Sequence, residues 1–312
     1  MHARMPTPQA RIASDFNRDS TAAEVIRGHD LHGKTAIVTG GSAGIGLETT
    51  RVLASAGARV IVPARDVQKA TAAVGKLATV EPMELTDAAS VAAFADRFLK
   101  AGTPLDLLIN NAGIMANPLT RVARNIESQF GTNHVGHFEL TVRLWPALRK
   151  ADAPRIVALT SVGHRRSPVD FDDWNFERRP YDRWMAYGQS KSANALFAIA
   201  ANARGVKAFS VHPGGILTGL GKFMTPEETE ALISRARNMM KTVEQGAATS
   251  VWAAVSRQLD GLGGVYCEDC NIATPVPADS QETRGIRPWA MDPALAERLW
   301  TLSEQITGLA IA

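Results

Sequence analysis

The sequence predicts an α/β protein, a single doubly wound domain with a central parallel sheet and helices on both faces. Three observations predict it. From residue 34, short β-rich apolar runs alternate with longer segments of helical periodicity. A glycine-rich turn, Gly40-Gly41-Ser42-Ala43-Gly44-Ile45-Gly46, joins the first such run to the first such helix. No linker or shift of composition divides the alternation.

Taken in order, TAIVTG (35–40) reads as a buried strand and GIGLETTRVLASAG as a helix closed by Gly57. RVIV (59–62) is the second strand, and DVQKATAAVGKLA is a helix with Asp66 placed to cap it. TVEPMEL (79–85) is the third strand, weakened by Pro82, which removes a ladder donor. A helix at 87–100 leads to LDLLINNAG (105–113), a strand with a turn at its end. A long helix near 122–149, the strand RIVALTS (155–161), a helix containing WMAYGQSKSANALF (184–197) and the strand KAFSVHP (207–213) complete the rhythm.

Three parts fall outside it. Residues 1–33 form an arm with a short helix at STAAEVIRG, capped by Ser20. Residues 162–183 lengthen one connection. The domain proper spans 34–273, and 274–312 form a tail whose amphipathic helix, MDPALAERLWTLSEQI, opens at Asp292-Pro293 and packs on the same domain.

An apolar content of 45% suits a globular core, and the net charge is only +3. The basic pairs Arg165-Arg166 and Arg178-Arg179 have acids beside them, so they read as a solvated face and not as a nucleic-acid footprint. Cys267 and Cys270 lack the second ligand pair of a zinc site and offer no disulfide framework, so no metal is expected. No run of roughly 18 apolar residues could span a membrane, and the polar N-terminus lacks the apolar core of a signal peptide. A soluble, cytoplasmic protein is the expectation.

The glycine turn places backbone N–H groups at the positive end of a helix dipole, an arrangement that binds a pyrophosphate. Its G-x-x-x-G-x-G spacing differs from the long-established dinucleotide pattern, and such turns also arise for structural reasons. The end of the second strand bears on which dinucleotide. Ala64 stands where an acidic residue would hold a ribose 2′-hydroxyl, and Arg65 follows it. A guanidinium meets a 2′-phosphate with parallel hydrogen bonds, which favours NADP(H) over NAD(H). Tyr187 and Lys191 stand four residues apart, on one face of their helix.

Six motifs in order now carry a resemblance: TGGSAGIG (39–46), NNAG (110–113), Asn133 in TNHVGHF, Ser161 in LTSVGH, YGQSK (187–191) and HPGGILT (212–218). Together they resemble the short-chain dehydrogenase/reductase family, which has the Rossmann fold. The insertion FDDWNFERRPYDRW, the arm and the tail resemble the branch holding retinol dehydrogenases and the WW-domain oxidoreductase. The resemblance implies that Gly40, Ser42, Gly44, Ile45 and Gly46 hold the cofactor phosphates. It places Asn111, Ala112 and Gly113 at the adenosine ribose, and Pro213, Gly214, Ile216 and Thr218 at the nicotinamide carboxamide. Where the family has an Asp near adenine, this chain has Glu84-Leu85, so the backbone of Leu85 is left to serve.

The same resemblance implies a Ser-Tyr-Lys-Asn catalytic set. Tyr187 exchanges a proton with the substrate oxygen while hydride passes to or from the nicotinamide. A phenol titrates near pH 10 (about) unless a neighbouring positive charge lowers it, and Lys191, which also reaches the nicotinamide ribose, is placed to do so. Ser161 holds the reacting oxygen, and Asn133 positions a water linking Lys191 to solvent. His134, His137, His164 and His212 fit no ligand spacing and read as structural or surface residues.

By analogy the substrate is a bulky hydrophobic secondary alcohol or ketone, a small molecule that is steroid-like or retinoid-like. The segment 219–240, with Phe223, Met224, Leu232, Ile233, Met239 and Met240, either closes over it as a lid or packs into the core. Family members commonly pair their two long helices in a homodimer or homotetramer; the arm and tail could instead cover those faces. Rival readings are a cofactor-binding sensor without turnover, which typically lacks the Tyr or Lys, and a sugar-nucleotide epimerase, which is usually longer.

Overall fold

A computed structural model describes residues 7–236 and 240–311. Eight strands form one sheet: β1 (Thr35–Val38), β2 (Arg59–Ala64), β3 (Thr79–Pro82), β4 (Leu107–Asn110), β5 (Arg155–Leu159), β6 (Lys207–His212), β7 (Val265–Glu268) and β8 (Asn271–Ile272). Their spatial order is β8-β7-β6-β5-β4-β1-β2-β3. All neighbours are parallel except β8, which turns back antiparallel on β7. Strands β1, β4 and β5 are buried along their whole length, which is why they are continuous apolar runs and not alternating ones.

The helices are α1 (Ala22–Ile26), α2 (Gly44–Ser55), α3 (Val67–Val74), α4 (Ala88–Lys100), α5 (Gly136–Leu148), α6 (Arg183–Ala203), α7 (Pro226–Ala236), α8 (Val243–Val255) and α9 (Pro293–Thr307). The sheet has a core on each face. One, holding Phe94, Phe98, Phe138, Trp145, Phe197, Leu299 and Trp300, lies under α4, α5, α6 and α9. The other, holding Val25, Leu53, Val251 and Trp252, lies under α1, α2 and α8. The strand order reverses between β1 and β4, so their C-terminal ends open the crevice where an open α/β sheet binds its ligand.

Several elements differ from the sequence expectation, each for a local reason. The cap of α1 is Thr21, not Ser20. Thr21 and Glu24 exchange hydrogen bonds in a capping box, while the Ser20 hydroxyl accepts from Asn17 N. The helix expected from 122 starts later. Residues Arg121–Val122 and Ile126–Glu127 pair as a miniature antiparallel ribbon, with Arg124 and Asn125 in the left-handed region between them. The Glu127 carboxylate then accepts from Gln129 N and Phe130 N and opens the helical run. Pro82 ends β3, which is an edge strand, where a missing donor costs little.

Helix α8 and the hairpin β7–β8 escaped the sequence reading. Ten of the residues of α8, Gly246 through Val255, are buried, so it has no polar face to give a 3.6-residue period. Asp66 and Asp292 cap α3 and α9, as the sequence suggested. The arm lies along the β7–β8 edge. There the Gln9 amide bonds Tyr266 N, Tyr266 O and Ala273 O, and Asn271 exchanges bonds with the Ile12 backbone. These side-chain bonds occupy an edge that would otherwise invite pairing.

Candidate active site

The motif residues gather at the C-terminal ends of the parallel strands. The turn after β1 brings Gly40 and Ser42 to the start of α2, which begins at Gly44 with Ile45 and Gly46 in its first turn. A side chain at Gly46 would stand 2.2 Å from Gly40 O, so only hydrogen allows the turn to fold this tightly. No side-chain hydrogen bond caps α2, whose first-turn N–H groups stay available for an anion. The loop after β6 closes against this turn: Thr218 lies beside Gly44, and Ile216 and Ile45 both pack over Gly246 of α8. Pro213 and Gly214 begin that loop directly after β6. These features fit a dinucleotide.

Thr39, which the sequence reading left out of the site, is the hub of the crevice. Its hydroxyl accepts from Asn111 N at 2.9 Å and Ala112 N at 3.0 Å, and lies 2.8 Å from His137 Nε2. Asn111 also donates its amide to Thr39 O at 2.8 Å. His137 Nδ1 lies 2.9 Å from the carbonyl of Asn133, which can only accept. The proton therefore sits on Nδ1, and Thr39 donates to Nε2. Burial holds His137 down to about 4, so the ring stays neutral and the assignment holds at physiological pH. A threonine hydroxyl one residue past the first strand was the signal for this chain of bonds.

Asn133 lies in an i→i+5 turn, Gly131–Val135, that precedes α5. Its side chain accepts from Ile114 N at 2.8 Å and donates to Ile114 O at 3.0 Å and Ser190 Oγ at 2.9 Å. It thus clamps the loop after Gly113 to α6. A side-chain atom at Gly113 would lie 3.1 Å from Asn133 Oδ1 and 3.7 Å from Lys191 Nζ, so these groups converge there.

Ser161, Tyr187 and Lys191 meet on the neighbouring strand end. Ser161 caps the turn Val162–Arg166 by accepting from Gly163 N, and its hydroxyl hydrogen-bonds Tyr187. Gly163 is needed because a Cβ there would stand 2.8 Å from the Tyr187 ring. Lys191 Nζ donates to Leu159 O at 3.1 Å and lies 5.6 Å from the Tyr187 ring centroid. Burial lowers Lys191 to about 8 and pushes Tyr187 up to about 12, against the pull of Ser161. Burial is the dominant influence on both groups, and Ser161 is the neighbour that pulls the phenol back down.

The remaining predicted residues sit at the other end of the crevice. Arg65 follows β2 with its side chain 75% exposed, and its Nη1 lies 3.8 Å from Glu84 Oε2. The other Glu84 oxygen accepts from Thr86 N and Oγ1, while Leu85 O packs against Gly136. His134 and His164 are buried in the core, His134 against Ser303 and His164 accepting from Arg287 N. In the segment from 219, Phe223 and Ile233 are exposed, not core. Met239 and the side chain of Leu232 lie outside what the structure describes.

A model of the short chain dehydrogenase family matches residues 34–229, which hold six of the eight strands and the crevice just described. The chain belongs to the short-chain dehydrogenase/reductase family. This short-chain dehydrogenase is 43% identical over 290 residues to a "Probable oxidoreductase" of Streptomyces antibioticus, covering 87% of this chain and 96% of that one. It is 36% identical over 292 residues to human retinol dehydrogenase 12, covering 89% and 88%. A solved structure of an uncharacterized protein from Mycobacterium paratuberculosis superposes with a TM-score of 0.72 at 32% identity, covering 94% of this chain and 99% of that one. The family makes this short-chain dehydrogenase an oxidoreductase acting on CH–OH groups, on a fold that binds a nicotinamide cofactor. Among the described residues, no helix is long and apolar enough to cross a membrane.

Proposed function

We propose that the protein interconverts a hydrophobic secondary alcohol and its ketone with NADP(H), using Tyr187, Ser161, Lys191 and Asn133. The observation that carries the reading is the convergence of Ser161, Tyr187 and Lys191 at the end of β5, with Asn133 and Lys191 meeting at Gly113. The nicotinamide supplies a hydride acceptor or donor and, when oxidised, a positive charge that favours the phenolate. Ser161 holds the substrate oxygen within reach of the Tyr187 hydroxyl, which takes its proton in oxidation and returns it in reduction. Lys191 holds a proton beside the phenol. Asn133 keeps the Gly113–Ile114 loop against α6, which fixes the distance between crevice and tyrosine.

The test is the change in nicotinamide absorbance with a panel of hydrophobic alcohols and ketones. Tyr187→Phe should lower kcat by about a thousandfold, because general acid–base catalysis is removed while the fold keeps its ring packing. Unaltered turnover in that variant would overturn the reading. The resemblance to human retinol dehydrogenase 12 supports a bulky apolar substrate.

Arg65 supports the choice of NADP(H). Its contact with Glu84 is long and exposed, and so contributes little, which leaves the guanidinium free to take a 2′-phosphate. Arg65→Ala should raise the KM for NADPH by about tenfold or more and leave that for NADH nearly unchanged. Equal effects on both would reject the assignment. We place the protein in the cytoplasm, and α9 of the tail packs on α5 and α6, the two long helices through which the family resemblance implies a homodimer or homotetramer would pair.

A further inference from the structure

Arg183 opens α6 one helical turn before Tyr187, on the same face of the helix. Its guanidinium joins three segments. Nη2 pairs with Glu228 Oε1 of α7, Nη1 donates to Phe223 O at 3.1 Å, and Nη1 reaches Ala116 O at 3.4 Å. Ala116 lies three residues past Gly113, in the loop that Asn133 clamps. Glu228 has further partners: Trp184 Nε1 donates to Oε1 at 3.4 Å, and Thr225 N donates to Oε2 at 2.9 Å. Glu228 thus both caps its own helix and reaches across to α6.

The surface around this junction is unusual in composition. Of the large apolar side chains exposed among the described residues, Leu119, Met185, Leu217, Phe223 and Ile233 all belong to the segments that Arg183 joins or to the loop entering them. Only Val67 and Leu77 lie elsewhere. Exposed apolar groups on the segments flanking one site suit the approach of an apolar ligand, Met185 excepted, since it stands two residues from Arg183 and Tyr187 and faces the opposite side of α6. The ion pair itself is about one-third exposed on both sides, so it can break and re-form without the cost of baring a buried charge.

We infer that Arg183 and Glu228 are a positioning pair that holds the 219–236 segment over the mouth above Tyr187 and so sets the affinity for an apolar substrate. The inference rests on the functional reading given above. Neither side chain touches reacting atoms. Their effect is on KM and not on the chemical step.

Two measurements test the pair. In the first, Glu228→Gln and Arg183→Glu each raise the KM for the best hydrophobic alcohol of the panel by about three- to tenfold, with kcat and the dissociation constant for NADPH within about twofold. The reversed double variant Arg183→Glu/Glu228→Arg recovers part of that loss, short of wild type because Ala116 O and Phe223 O lose their donor. Raising salt from 0.05 to 0.5 M (about) should raise the wild-type KM and leave that of Glu228→Gln flat, because screening acts only on the intact pair. In the second, chymotrypsin cleaves after the exposed Phe223 several-fold faster in Glu228→Gln than in wild type, and slower again in the reversed double variant.

A structural role alone would shift the melting temperature without the KM change, the salt dependence or the rescue by reversal. Equal cleavage rates in all variants, or a reversed double variant no better than the singles, overturns the inference. If no dinucleotide supports Tyr187-dependent turnover, the functional reading fails, and the cleavage rates still decide whether the pair holds the segment.

Discussion

Lys191→Met is expected to lose turnover by about a thousandfold and yet unfold at a higher temperature than the wild type at pH 7. The ammonium is buried and held down to about 8 by desolvation. In an unfolded chain a lysine titrates at about 10.4, so between those pH values the unfolded state binds more protons and stability rises with pH. Below pH 8 the whole cost of burying the charge is present. Methionine keeps the length of the side chain and removes the charge, which should stabilise the fold by about 1–3 kcal/mol at pH 7. The carbonyl of Leu159 is not left unpaired, because Asn194 Nδ2 also donates to it at 2.8 Å. Urea unfolding of both proteins at pH 7 and pH 10.5 (about) checks the sign, since the advantage should shrink as the wild-type lysine neutralises. A variant less stable than the wild type at pH 7 would refute the argument. The catalytic role proposed for Lys191 would account for keeping a buried charge at a cost in stability.

Trp300→Ala should destabilise the protein by about 3–5 kcal/mol, a large share of what holds a domain together. Trp300 is 1% exposed. Its ring packs edge-on to Phe138 at 4.9 Å and Trp145 at 6.1 Å, stacks parallel to Phe197 at 6.0 Å, and carries the Arg204 guanidinium at 4.1 Å. One side chain thus fastens α9 onto both α5 and α6. Truncation leaves a cavity lined by three aromatic rings and removes the ring face under Arg204, which keeps its bonds to Glu297 and Ala200 O. Trp300→Phe, which keeps part of that volume, should lose less than half as much. Chemical denaturation followed by circular dichroism measures both. A loss below about 1 kcal/mol for the alanine variant would show that α9 is peripheral to the core.

The order of strands β1 to β6 was legible because most of their buried residues form apolar runs and most helices have a solvent face that gives them a period, whereas the short buried β7, ending in Glu268, gave no such run. Where that signal vanishes, as in the almost wholly buried α8, sequence reasoning had nothing to count. Motif spacing likewise placed Tyr187 and Lys191 on one helical face and Gly40 to Gly46 at a helix start, because these depend only on local geometry. It could not show that Thr39 orients His137, that the phenol and ammonium are both desolvated, or that Arg183 reaches Glu228. Those depend on which side chains the folded sheet brings together and on how much water it removes. Local spacing is written along the chain; burial and partnership are properties of the packed whole, and the tertiary structure alone decides them.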